Sequence, residues 1–208
     1  LPIKKKTQGR KINDPRKQMG RPCGVIVTWA VFLDRDGVLN RSLVRGGRPY
    51  APTRLEEFEW LPGIYQALDM LKGAGARLIV VTNQPDVGNG LVDQEIIEEM
   101  HRRIRVELPV DDIRVCYHTA DENCACRKPL PGMIHGAAED YGIELEQSVM
   151  IGDRWRDIEA GAAAGCRTVF IDYRYEETRP TAPDYIVGSL PEAVPLVVRD
   201  FPWKADSQ

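Results

Sequence analysis

From Gly24 to Leu33 the chain is almost wholly apolar, and the run ends abruptly on Asp34-Arg35-Asp36. A short continuous apolar segment bounded by charge reads as a strand buried on both faces, at about 25–34. Beyond it, short β-branched runs alternate with stretches whose apolar residues recur every three or four positions. Pro62 and Gly63 open a helix carrying Ile64, Ala67, Leu68 and Leu71 on one face, and Gly73 and Gly75 end it before a strand at 77–82. A longer helix is predicted from Asp93 to Leu108, with Ile96, Ile97, Met100 and Ile104 on its apolar face and Pro109 as its stop. Strands at 112–117, 148–152 and 167–171 then alternate with helices from Pro131 to Tyr141 and up to Gly165; 184–187 reads as an edge strand. A last helix holds Pro191 and Pro195, which leaves its limits loosely defined.

Such alternation predicts an α/β fold, a three-layer Rossmann-like parallel sheet with helices on both faces. A chain of 208 residues suits one domain. The expected division is a basic arm at 1–22, a single domain at 23–200 and a tail at 201–208. The interval between Asn40 and Pro62 is too short for a large cap domain, so an open pocket shaped by loops is expected.

Charge sharpens this division. The first 22 residues hold eight basic residues against one acidic, whereas the whole chain is formally −3, leaving the remainder near −10. An acidic body argues against nucleic acid as a partner, and the arm reads as a solvated terminus. No apolar run reaches the ~18 residues of a membrane span. A cytoplasmic monomer is the expectation, with no membrane partner.

Acids and hydroxyls fall where the strands end, the place where open α/β sheets bind ligands. Asp34 and Asp36 share one side of an extended backbone. Paired carboxylates can divide the roles of nucleophile and proton donor, although Asp-x-Asp-Gly also occurs in surface turns and calcium loops. Thr82-Asn83 can offer a hydroxyl and an amide to phosphate oxygens. Lys128 reads either as a phosphate-neutralising charge or as an ordinary surface lysine beside a proline turn. Asp34 with Asp153 meets the needs of magnesium. Asp157, in the first turn of a helix, reads as a dipole complement or as a salt-bridge partner of Lys128 rather than as a ligand.

Asp34-x-Asp36-Gly37, Thr82-Asn83, Lys128-Pro129 and Gly152-Asp153-x-x-x-Asp157 resemble the four ordered motifs of the haloacid dehalogenase superfamily of phosphatases. The resemblance spans about 25–172. It implies attack by Asp34 on phosphorus, proton donation and later water activation by Asp36, and magnesium held by Asp34, the Asp36 carbonyl and Asp153. Thr82 and Lys128 would neutralise the phosphoryl oxygens.

Cys116-x-His118 and Cys124-x-Cys126 place four soft or borderline ligands within eleven residues, a complement for structural zinc in a reducing compartment. Cys-x-His…Cys-x-Cys-Arg-Lys-Pro is similar to two phosphatase groups within the superfamily, acting on D-glycero-D-manno-heptose 1,7-bisphosphate and on histidinol phosphate. Leu130-Pro131-Gly132-Met133 and the run Phe32 to Gly37 favour the first. The short loop from His118 to Cys124 favours the second.

A small phosphorylated substrate, a sugar bisphosphate, is the expectation, because Arg45, Arg48, Arg127 and Arg154 lie near the strand ends and guanidinium forks suit phosphate. By resemblance to the heptose group, segment 42–45 with Ser42 and Arg45, then Asn83, Gln84, Arg127 and Arg154, match substrate contacts. Pro85 departs from the small polar residue usual there.

Overall fold

A computed structural model describes residues 28–200. The basic arm, the first residues of the expected strand at 25–34 and the tail at 201–208 lie outside the described residues.

The central sheet has six strands in the order β5-β4-β1-β6-β7-β8, every neighbouring pair parallel. These are β1 (Ala30–Leu33), β4 (Arg77–Asn83), β5 (Asp112–Cys116), β6 (Val149–Gly152), β7 (Arg167–Ile171) and β8 (Tyr185–Val187). All four residues of β1 are buried, as its unbroken apolar run requires of a strand covered on both faces.

Alternation along β1 divides the core. Val31 and Leu33 pack on one side with α1 (Ile64–Gly73), α3 (Gln94–Glu107) and α6 (Leu190–Asp200). Ala30 and Phe32 pack on the other with α4 (Gly132–Tyr141) and α5 (Trp155–Ala164). The layered α/β expectation agrees with this architecture. Pro195 lies at the middle of α6, where its missing N–H leaves the Pro191 carbonyl without that intrahelical donor, and the helix continues through it to Asp200.

Two elements depart from the sequence reading. A hairpin of β2 (Leu43–Arg45) and β3 (Arg48–Tyr50) turns at Gly46-Gly47, both with positive φ as a tight primed turn demands. A single short turn, α2 (Pro85–Gly88), follows β4. Because β1 sits between β4 and β6, the connections leave its carboxyl end in opposite directions, and the crevice so opened lies directly after Leu33.

Candidate active site

Asp34 follows β1 and is anchored by its N–H donating to the Ile151 carbonyl at 3.0 Å. Lys128, more than 90 residues away in sequence, donates from Nζ to Asp34 Oδ1 at 2.8 Å and to the Val81 carbonyl at 2.7 Å, and pairs with Asp157 Oδ1 at 2.6 Å. All three protons of the ammonium are thus engaged. Burial works against its charge, but Asp157 and Asp34 outweigh that and lift Lys128 to about 12. Asp157 therefore occupies the salt-bridge role expected for it.

Carboxylates outnumber cations here. Ligand oxygens of Asp34, Asp153 and Asp157 all lie within 4.8 Å of one another, and all three residues are buried. Burial, then the charge of Asp157, push Asp34 up to about 7 against the pull of Lys128. Asp153 is raised well above the carboxylate range by burial first and Asp34 second. Among the described residues neither Asp153 oxygen completes a hydrogen bond, and the nearby Tyr175 hydroxyl only partly offsets the rise. Two orphaned, buried carboxylate oxygens beside two further acids that share a single lysine form a hard-oxygen site short of positive charge, which suits a divalent cation. Gly37 makes room for it: its φ is +84°, and a Cβ there would overlap the Asp153 carboxylate.

Asp36 faces the same crevice and receives four nitrogen donors. Arg35 Nε and Nη2 approach it at 2.9–3.2 Å, Asn40 Nδ2 at 2.8 Å and Gln84 Nε2 at 2.9 Å. Neither Arg35 nor Asn40 stood out in the sequence. The same Gln84 amide donates to Thr82 Oγ1 at 2.9 Å.

A cleft of about 290 Å³ opens over these groups, lined by Asp34, Asp36, Asn83, Lys128 and Asp157 together with Ser42, Arg48, Arg127, Arg154 and Arg156. Of the residues expected to touch substrate, Ser42, Asn83, Arg127 and Arg154 are in this wall. Arg45 is not: it lies over the Tyr50 ring, while Arg48 across the hairpin turn and Arg156 on α5 face the cleft. Gln84 is buried beneath the floor and engaged by Asp36 and Thr82. Asn83 lines the cleft, but its amide bridges the Lys128 backbone, donating to the carbonyl at 3.0 Å and accepting from the N–H at 3.1 Å. Arg154 pairs with Glu177 through the Nε–Nη2 edge of its guanidinium, so its charge is already partly met.

Beside the cleft, Cys116, His118, Cys124 and Cys126 converge as a group that can hold a metal ion. Sγ of Cys116 is 3.6 Å from Sγ of Cys124 and 3.5 Å from His118 Nδ1, which is 3.2 Å from Cys126 Sγ; the three cysteines are unpaired thiols. Arg127 donates to the His118 carbonyl at 2.9 Å, tying this loop to the segment that presents Lys128.

Residues 125–193 match the HAD-hydrolase-like family model. Over 154 residues the chain is 36% identical to D-glycero-alpha-D-manno-heptose-1,7-bisphosphate 7-phosphatase of Mycobacterium tuberculosis strain H37Rv, covering 69% of this chain and 79% of that protein. It is 38% identical over 141 residues to D-glycero-beta-D-manno-heptose-1,7-bisphosphate 7-phosphatase of Helicobacter pylori strain 26695, covering 65% and 78%. The crystal structure of D,D-heptose 1,7-bisphosphate phosphatase from B. bronchiseptica, complexed with magnesium and phosphate, superposes with a TM-score of 0.70 at 28% identity, covering 84% of this chain and 99% of that one.

Proposed function

Since the chain belongs to the haloacid dehalogenase-like (HAD) family of phosphatases and is a phosphoric monoester hydrolase, we propose that it removes one phosphate from a D-glycero-D-manno-heptose 1,7-bisphosphate through a phosphoaspartate on Asp34. The reading is carried by one observation: Asp34 Oδ1, Lys128 Nζ and the buried acids Asp153 and Asp157 meet beneath a cleft whose wall holds four arginines.

Asp34 is the nucleophile. Lys128 holds it in place and supplies charge to the phosphoryl oxygens, with Thr82, buried beside Gln84, as a hydroxyl donor. Asp36 gives its proton to the departing oxygen and, as a carboxylate, takes one from the water that hydrolyses the phosphoaspartate. Asp34, Asp153 and the main-chain carbonyl of Asp36 would hold magnesium, which supplies positive charge to the transferring phosphoryl group. Arg48, Arg127, Arg154 and Arg156 are the cations available to a second phosphate, which a monophosphate lacks.

In the cysteine loop the four ligands would hold zinc. Zn–S of ~2.3 Å and Zn–N of ~2.0 Å in a tetrahedron give edges of roughly 3.5–3.8 Å, close to the separations among these four ligands. With every position filled by protein, such an ion would be structural and would fix Arg127 and Lys128.

Phosphate release from both heptose 1,7-bisphosphate anomers and from histidinol phosphate, with ³¹P NMR to identify the remaining ester, tests the proposal. The expected result is preferred turnover of a heptose bisphosphate to its 1-phosphate. Equal or faster turnover of histidinol phosphate would overturn the substrate assignment.

A further inference from the structure

Arg35 is wholly buried, yet it carries a full charge and lies between the two acids of the first motif. Its Nε and Nη2 form a fork onto both oxygens of Asp36. The remaining edge, Nη1, lies 3.2 Å from His101 Nε2, and the guanidinium rests 5.8 Å from the centre of the Phe58 ring. A guanidinium has donors only, so His101 Nε2 must accept and its ring proton must sit on Nδ1. That nitrogen faces Glu98 Oε2 at 3.8 Å, and Glu98 is itself held by the Tyr117 hydroxyl. Burial first, and the Arg35 charge next, push His101 down to about 4, so the ring stays neutral and able to accept.

A neutral acceptor on α3 therefore closes the third edge of Arg35, leaving the fork one orientation. Asn40 and Gln84 approach the same carboxylate from other directions, and Asp36 alone of this set lines the cleft together with Asp34. We propose that His101 and Arg35 are a positioning pair for proton transfer: His101 locks the Arg35 fork, and the fork holds Asp36 where it serves the leaving oxygen. This inference rests on the acid–base reading of Asp36. As the P–O bond to the leaving group breaks, the proton moves from Asp36 to that oxygen, and the negative charge left on Asp36 develops against the fork. The pair therefore matters most for leaving groups that need the proton.

Values of kcat/KM report the steps up to phosphoenzyme formation, so two esters separate the contributions. One is the best-turned-over sugar phosphate, whose alkoxide needs protonation; the other is 4-nitrophenyl phosphate, whose phenolate leaves without it. His101→Leu is expected to lower kcat/KM for the sugar ester at least ~10-fold more than for the aryl ester. His101→Gln, whose amide oxygen can replace the Nε2 acceptor, is expected to restore most of the loss. If His101→Leu does not fold, His101→Asn, too short to reach Arg35, takes its place in the comparison. Equal losses on both esters, or no loss, would overturn the positioning role. Asp36→Ala distinguishes the two levels: if it discriminates between the esters and the His101 variants do not, only the pair is refuted. If Asp36→Ala lowers both esters equally, the acid reading falls and the pair with it.

Discussion

Lys128 Nζ stands 2.8 Å from Asp34 Oδ1 with both side chains buried, so the proposed nucleophile and the phosphate-neutralising cation form one ion pair before any substrate arrives. Lys128→Met would leave Asp34 and Asp157 without their shared cation. Removing one partner of a buried pair costs about 3–5 kcal/mol, and loss of a transition-state charge lowers kcat by about 10²-fold or more. Urea denaturation together with steady-state kinetics checks both; a variant of unchanged stability would show the pair to be energetically idle.

Gly37→Ala places a methyl group where the Asp153 carboxylate lies, at a φ that L residues rarely adopt. The expected outcome is magnesium affinity weakened by at least about tenfold, since disturbing the groups that orient a metal ligand typically costs about 10–100-fold. Isothermal titration with magnesium checks it, and unchanged affinity would remove Asp153 from the proposed cation site.

The cysteine loop should hold about one zinc per chain, as structural tetrahedral sites do. Cys124→Ser is expected to lower zinc content and, because Arg127 is bonded to the His118 carbonyl, to reduce activity without touching the cleft's own acids. Plasma emission analysis of purified protein checks the content. A fully active, zinc-free wild type would contradict the structural role.

His101 gives the fold a pH dependence of defined sign. Its folded pKa, near 4, lies below the ordinary histidine value, so between those limits the unfolded chain binds more protons than the folded one. Its contribution to stability is present above about pH 6.5 and is lost as pH falls towards about 4. Wild type should therefore lose more stability across this window than His101→Gln; parallel pH profiles of the two in urea denaturation would contradict the assignment.

Much of this was legible in the sequence, for physical reasons. The run ending in Leu33 had to be a central strand, and acids at the ends of β1 and β6 had to meet in the crevice between diverging connections. Four cysteine and histidine residues at short spacing announced a cluster that can hold a metal ion. Pairings across long separations were hidden. Nothing local ties Arg154 to Glu177, and nothing said whether Arg45 or Arg48 would face the cleft once Gly46-Gly47 folded the insertion into a hairpin. His101 falls four residues after Ile97 on the buried face of α3, where it reads as part of the apolar stripe. A titratable ring in that stripe was the available signal for the buried Arg35.

The chemistry itself is tested most directly by acid-quenching the enzyme during turnover of γ-³²P-ATP-derived, ³²P-labelled sugar phosphate and mapping the labelled peptide. A hydroxylamine-sensitive label on the peptide containing Asp34, absent in Asp34→Asn, is the expected result. Label on another residue, or undiminished hydrolysis by Asp34→Asn, would contradict the phosphoaspartate mechanism.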